Sequence, residues 1–397
     1  MSGQRLLVLG ATGSVGRNTL DVAARHPERY EIVGLSARSD VDALLVQIRA
    51  HRPEVVSVID AAAAAGLRQQ LAAEQICCEV LCGDQSPVSL IQQCKADVVM
   101  AAISGGAGLL PVLSAIQAGL RVLIANKEPL VMAGDLMMSQ ARRFGAVVIP
   151  VDSEHNAIFQ CLPQGFVCGD RPEGVRSLWL TASGGPFRNW SAQQMAAATP
   201  AQAVRHPNWQ MGAKISVDSA TLMNKGLELI EAAVLYRLDA AALKVVIHPQ
   251  STVHSLVEFE DGSILAQMGQ PDMRIPIAHA LGWPDRIASG AEALDLHQLG
   301  ALDFEPPDEQ RFVALRLARQ ALISGGVMPN VLNAINEVAV QAFLDHRIGF
   351  NAITDWVARG LEAADKADLD AGQSLEAVLA TDQWARDWAR DKIEERS

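Results

Sequence analysis

Asp152, Glu154 and His155 follow directly on the apolar run AVVIPV. Two carboxylates so close repel one another, so such a pair sits either in water or around a cation. On an extended chain residues i and i+2 share a face. If the chain is still extended at 151–154, Asp152 and Glu154 point the same way, with Ser153 opposite or bridging. Two oxygen donors on one edge form half a site for a hard cation such as Mg²⁺ or Mn²⁺. The same residues also open the helical pattern NAIFQCL, where Asp152 or Ser153 would serve as a cap. A second acidic set lies in SVDSATLMNKGLELIEAAVLY, where Lys225, Glu228 and Glu231 fall at i, i+3 and i+6. On a helix these share one face, with Asn224 at its edge. The apolar stripe Leu222, Leu229 and Ala233 predicts that this charged face is the exposed one. Spacing does not choose between Glu228 and Glu231 as a third ligand.

Other stretches carry anion chemistry. LLVLGATGSVGRNTL sets Gly10, Gly13 and Gly16 between a strand pattern and a helix pattern. Glycines let backbone approach a pyrophosphate, and the helix start offers free N–H groups. Thr12 and Ser14 add hydroxyl donors. The second strand ends at SARSD. An acid at its tip would bind a ribose 2′-hydroxyl; Arg38 with Ser39 suits a 2′-phosphate, which favours NADP over NAD. Asp40 is placed to cap the next helix, its backbone N–H still facing the phosphate. IANKEPL puts Asn126, Lys127 and Glu128 at the carboxyl end of a strand, where open α/β sheets bind ligands. Ser183-Gly184-Gly185, in LTASGGPF, can form a backbone nest for an anion. RHPNWQMG reads as a loop with His206 and Trp209, hinged at Gly212, that closes over a ligand. His248 and His254 flank a strand and read as structural.

These groups need a scaffold. RLLVLG, YEIVGLSA, EVVSVI, DVVMAAI, RVLIAN and AVVIPV read as strands, mostly separated by helix-like segments, and EVLCG adds a further strand. That alternation predicts a parallel sheet with helices on both faces over residues 1–150. From 151 to 285 the rhythm is α+β: helix NAIFQCL, strands SLWLTAS and KVVIHP, and a hairpin turning at EDG. Residues 286–311, rich in Pro, Gly and acids, read as a linker. Residues 312–397 carry four amphipathic helix patterns and predict a helical bundle.

The bulk numbers narrow the class. A chain of 397 residues with 49% hydrophobic and 20% charged content is globular, with room for two or three domains. The net charge of −12 resides mainly in residues 286–397, with 11 Lys/Arg against 19 Asp/Glu. No basic face or tail is visible, which excludes nucleic acid as the expected partner. No apolar run is long enough to span a membrane, and the N-terminus lacks a signal-like apolar region, so a cytoplasmic protein is expected. The cysteines, at 77, 78, 82, 94, 161 and 168, form no C-x-x-C pair and read as small apolar residues.

GATGSVG, ANKEPLV, VDSEHNAIFQ, LTASGGPF, RHPNWQMGAKISVDSATLMNKGLELIEA and IHPQSTVHS together resemble the 1-deoxy-D-xylulose 5-phosphate reductoisomerase family over essentially the whole chain. The resemblance implies a Rossmann-like N-terminal domain, an α+β catalytic domain and a C-terminal helical bundle. It implies conversion of 1-deoxy-D-xylulose 5-phosphate to 2-C-methyl-D-erythritol 4-phosphate, in the non-mevalonate isoprenoid pathway, with NADPH and Mg²⁺, Mn²⁺ or Co²⁺. By motif the metal ligands are Asp152, Glu154 and Glu228, so the resemblance selects Glu228 where spacing does not. The substrate phosphate falls to Ser183, Ser219, Asn224, Lys225 and His206, and the carbon chain to Ser153 and Lys127. Thr12, Gly13, Ser14, Val15, Asn126, Glu128 and Gly212 line the NADPH site, with Arg38, Ser39 and Asp40 at the 2′-phosphate. A homodimer is implied as well, with the hairpin strands around 245–270 as its edge. Two positions depart from the pattern. Ala37-Arg38-Ser39-Asp40 stands where the family reads A-G-x-N, and Pro129 stands where it reads Ser; proline is tolerated in a first helical turn. The rival readings are an NADP-dependent semialdehyde or homoserine-type dehydrogenase, which needs no cation set, and a non-enzymatic NADP sensor.

Overall fold

Runs of Val, Ile and Leu bounded by Gly, Asp and Pro give the first sheet. The computed structural model describes residues 3–206, 209, 212–370 and 374–395. Its strands are β1 (Gln4–Leu9), β2 (Tyr30–Ala37), β3 (Val55–Val58), β4 (Glu79–Cys82), β5 (Val98–Ala101), β6 (Arg121–Ile124) and β7 (Val147–Pro150). They pair in the order β4-β3-β2-β1-β5-β6-β7, every pair parallel. Leu6, Leu7, Val8 and Leu9 of the central strand are all fully buried, as a strand covered on both faces requires. The strand order reverses at β1, and the carboxyl ends on either side of that point form the crevice of an open α/β sheet. Asp40 and Asp60 each accept a backbone N–H three residues on and so cap the helices Val41–His51 and Ala61–Ala73. This unit comprises residues 1–126, 137–156 and 272–291.

The second unit comprises residues 127–136, 157–271 and 292–397. Its sheet has β8 (Val175–Ala182), β9 (Leu243–Ile247), β10 (Val253–Phe259) and β11 (Ile264–Met268), in the order β11-β10-β8-β9. β10 runs antiparallel to β8 and β11, and β8 parallel to β9. The expected hairpin turn is present, with Gly262 at φ 86° and Asp261 Oδ1 accepting the Ser263 N–H at 2.9 Å. The helices Ala314–Ser324, Met328–Leu344, Phe350–Lys366 and Leu375–Glu394 answer to the four amphipathic patterns. Val331, Leu332, Ile335, Ile353 and Val357 fill their core. Gly360 makes room there for the end of the Ile335 side chain and for Trp388, which a Cβ would oblige to shift. No helix among the described residues is long and apolar enough to cross a membrane.

Two expectations are corrected. The chain is not extended through 151–154: a helix runs Ser153–Cys161, and the Asn156 N–H bonds to the Asp152 carbonyl at 2.8 Å. Asp152 thus sits at the helix start and Glu154 inside its first turn. Nor is the charged face of helix Met223–Tyr236 exposed: Lys225 is 3%, and Glu228 and Glu231 are 0%, accessible. The helix is apolar on one side and carries buried ionic groups on the other.

Candidate functional site

In the first unit the glycine turn is built for close approach. Gly10 has φ +75°, and a Cβ there would lie 2.4 Å from the Ala102 carbonyl oxygen. A Cβ on Gly16 would meet the Gly10 oxygen at 2.4 Å, so the helix starts hard against the strand end. Ser36 holds the turn from behind, its Oγ accepting the Gly10 N–H at 2.9 Å, and buried Gln47 donates to the Ala11 carbonyl at 2.8 Å. No side chain caps helix Ser14–Ala24. Its first N–H groups, with exposed Gly13 and Ser14 and half-buried Thr12 and Val15, therefore face outward, available to a diphosphate. Arg38 and Ser39, both exposed, follow β2 and line a cleft of about 560 Å³ with Ile59, Asp60 and Ala61. Asp40 Oδ1 accepts the Ala43 N–H at 3.1 Å, so that carboxylate is committed to its cap. Asn126 stands half-buried just past β6. Asp152, Ser153 and Glu154 are half-buried past β7, and the Ser153 hydroxyl donates to the Glu154 carboxylate.

In the second unit a buried ionic cluster forms around Glu228. Lys127 Nζ donates to Glu228 Oε1 at 3.0 Å and to Asn224 Oδ1 at 2.9 Å. Asn224 Nδ2 donates to the same Glu228 oxygen at 2.6 Å, and Lys225 pairs with Oε2. A carboxylate so placed also offers hard oxygens of the kind Mg²⁺ or Mn²⁺ takes.

The loop after β8 supplies an anion nest. Gly184 and Gly185 both have positive φ, 85° and 68°, and a Cβ on Gly185 would meet the Ser219 carbonyl oxygen at 2.5 Å. Ser183 Oγ accepts the Gly185 N–H at 3.1 Å. His206 Nδ1 accepts the Trp209 N–H at 2.9 Å, so in the neutral ring the hydrogen lies on Nε2, 3.0 Å from Ser183 Oγ. Ser183 therefore accepts both bonds and keeps its own O–H to donate. Phe187, fully buried, anchors the loop edge-on against Phe350 at 5.0 Å. Of the expected loop, His206, Trp209 and Gly212 are described; Pro207, Asn208, Gln210 and Met211 lie outside the described residues. Ser219, 8% accessible, sits in helix Ala213–Thr221.

Sequence reasoning treated His248 as structural, and its packing agrees: Nδ1 lies 2.8 Å from the Asp303 carbonyl and Nε2 3.0 Å from Thr252 Oγ1. It missed Lys214, whose Nζ lies 2.8 Å from Glu128 Oε1 and 2.9 Å from Asp218 Oδ2. The i,i+4 spacing of Lys214 and Asp218 was the available signal; Glu128, 86 residues away, gave none.

Comparisons with known proteins agree on one family. Residues 6–134 match the family model described as 1-deoxy-D-xylulose 5-phosphate reductoisomerase, residues 148–236 its C-terminal domain, and residues 268–388 the DXP reductoisomerase C-terminal domain. A 1-deoxy-D-xylulose 5-phosphate reductoisomerase of Pseudomonas putida is 53% identical over 98% of this chain and 96% of its own. That of Methylococcus capsulatus is 51% identical over 98% of both. A crystal structure of DOX-P reductoisomerase in complex with NADPH, fosmidomycin and magnesium superposes with TM-score 0.93 at 45% identity, covering 98% of both chains. The Zymomonas mobilis enzyme in complex with NADPH gives 0.89 at 45% identity, covering 99% of both.

Proposed function

The chain belongs to the 1-deoxy-D-xylulose 5-phosphate reductoisomerase family, and we propose that its Asp152, Glu154 and Glu228 hold the divalent cation of the reaction. The protein is an NADPH-dependent oxidoreductase that isomerises and reduces 1-deoxy-D-xylulose 5-phosphate to 2-C-methyl-D-erythritol 4-phosphate. The observation that carries the residue assignment is Glu228: a carboxylate with no accessible surface, held by Lys127, Lys225 and Asn224.

When bound, the cation supplies Lewis-acid polarisation of the substrate's C2 carbonyl and C3 hydroxyl, and NADPH supplies a hydride. The skeleton rearranges by retro-aldol cleavage of C3–C4, with loss of the C4 hydroxyl proton. Aldol closure of C2 onto C4 then returns a proton to the C4 oxygen, while C3 gives up its hydroxyl proton and becomes the aldehyde that is reduced. The protein's part is to keep two fragments in register between those steps. Ser183, His206, Ser219, Asn224 and Lys225 are assigned to the phosphate, each hydrogen bond to that charged group being worth roughly 1.5–3 kcal/mol. Lys127 and Ser153 are assigned to the carbon chain and its hydroxyls. A phosphate anchored away from the reacting carbons lends binding energy to the transition state. Thr12, Gly13, Ser14, Val15, Asn126, Glu128 and Gly212 are assigned to NADPH, and Arg38 with Ser39 and the Asp40 backbone to its 2′-phosphate.

On this reading residues 1–150 bind cofactor, 151–285 carry catalysis and self-association, 286–311 link, and 312–397 form the helical domain. We further propose a cytoplasmic homodimer. Its supporting feature is the edge strand β11, where Ile264 and Leu265 are 53% and 50% accessible.

Two outcomes are expected in solution. Absorbance of NADPH falls when 1-deoxy-D-xylulose 5-phosphate and Mn²⁺ are present, and a chelator in excess stops it; turnover that persists under the chelator speaks for a cation-independent dehydrogenase. Arg38→Ala loses about one charge-assisted bond, so kcat/KM with NADPH drops roughly 10- to 100-fold while that with NADH stays within threefold. Equal loss with both cofactors removes Arg38 from the 2′-phosphate.

A further inference from the structure

Lys214 stands two residues past Gly212, in the first turn of helix Ala213–Thr221. Its ammonium bridges two carboxylates of different elements. Glu128, 6% accessible, opens the helix that follows Lys127; Asp218, 1% accessible, lies one turn along Lys214's own helix. Asp218 in turn accepts from Asn336 Nδ2 at 2.8 Å, and Asn336 is fully buried in helix Met328–Leu344. The chain of contacts thus runs from the helical bundle through Asp218 and Lys214 to Glu128, beside the lysine that holds Glu228.

Charge makes this bridge obligatory rather than decorative. Without the ammonium, two nearly inaccessible carboxylates would lose the cation they share, and burial penalises an uncompensated charge heavily. Burial opposes the charge on Lys214, yet Asp218 and Glu128 outweigh it and hold its pKa above the usual lysine range. Burial likewise opposes the Glu128 charge, and Lys214 holds that carboxyl below its usual value. Lys214 and Glu128 are therefore both ionised across the neutral range.

We infer that Lys214 is a positioning residue for the cofactor side of the site: it fixes Glu128 against helix Ala213–Thr221. The inference rests on the NADPH-dependent reading above and deepens it. Gly212 is the N-cap of the same helix, so Lys214 also fixes the point at which that helix starts. Asp218 and Asn336 act through Lys214 by tying its helix to the bundle.

The test is steady-state kinetics on the full-length chain, with NADPH and the sugar phosphate varied separately. Lys214→Met is expected to raise KM for NADPH about tenfold and lower kcat about tenfold, with KM for the sugar phosphate changed less than threefold. Lys214→Arg keeps the charge and is expected to restore both within threefold. Glu128→Gln should reproduce the NADPH defect, and the double variant K214M/E128Q should be no worse than either single. If K214M does not fold, K214R and the charge-balanced double variant carry the same comparison. A double variant whose losses multiply, or a K214M protein with unchanged KM for NADPH, overturns the inference. Wild-type protein that fails to oxidise NADPH with the sugar phosphate overturns the functional reading instead, so the two failures are distinct.

Discussion

Glu228→Gln is expected to stop turnover and weaken the fold together. Lys127 and Lys225 both close on this carboxylate, and both lysines are nearly inaccessible, at 4% and 3%. Removing one partner of a buried ion pair costs roughly 3–5 kcal/mol. Glutamine still offers an oxygen to one lysine, which puts the expected loss toward the lower end. A cation missing one of its protein oxygens loses part of several kcal/mol of polarising power, which corresponds to a fall in kcat of about 10³. The two effects separate by design. Adding Lys225→Met to Glu228→Gln removes the ammonium that paired with the lost carboxylate and should recover part of the stability while recovering no activity. Denaturant melts and initial rates on the three proteins check this; a Glu228→Gln enzyme within tenfold of wild type would remove Glu228 from the chemistry.

Lys225→Met carries the second-largest expected effect. The ammonium is assigned to the substrate phosphate, yet in this structure it pairs with Glu228. Its loss leaves Glu228 with Lys127 and Asn224, so the stability cost should be smaller than for Glu228→Gln. The phosphate, by contrast, loses its strongest electrostatic anchor. One charged contact of about 1.5–3 kcal/mol alone gives a 10- to 100-fold fall in kcat/KM. Part of that should appear in kcat, because the anchor restrains the cleaved fragments as well as the substrate. KM for NADPH should hold. A variant with normal KM for the sugar phosphate and impaired NADPH binding would reassign Lys225 to the cofactor.

How legible these features were depends on how local their causes are. The seven parallel strands could be read because each is a short apolar run rich in Val, Ile or Leu set between helical patterns, with the helix caps at Asp40 and Asp60 written beside them. The glycine turn could be read for the same reason: Gly10 and Gly16 meet within seven residues. Glu228 could not. Amphipathic periodicity assumes that charges face water, and it put the Lys225–Glu231 face outside. Lys127, 101 residues earlier, pairs with that face, and no local pattern encodes such a partner. Lys214 escaped notice on the same ground, because its partner Glu128 lies 86 residues away. The Asp152–Glu154 pair was found by type and spacing, but the geometry inferred for it was that of a strand, whereas the chain turns helical at Ser153. Residue chemistry was therefore more visible than the backbone that presents it.

The central claim is that Asp152, Glu154 and Glu228 take one divalent ion. The direct measurement is the anomalous signal of Mn²⁺ in crystals of this protein grown with NADPH and a phosphonate analogue of the substrate. The account predicts one manganese peak with an oxygen of each of the three carboxylates at roughly 2.0–2.4 Å, the range of hard-cation coordination. A peak that Glu228 does not reach, with Lys127 and Lys225 still closed on it, would contradict the claim.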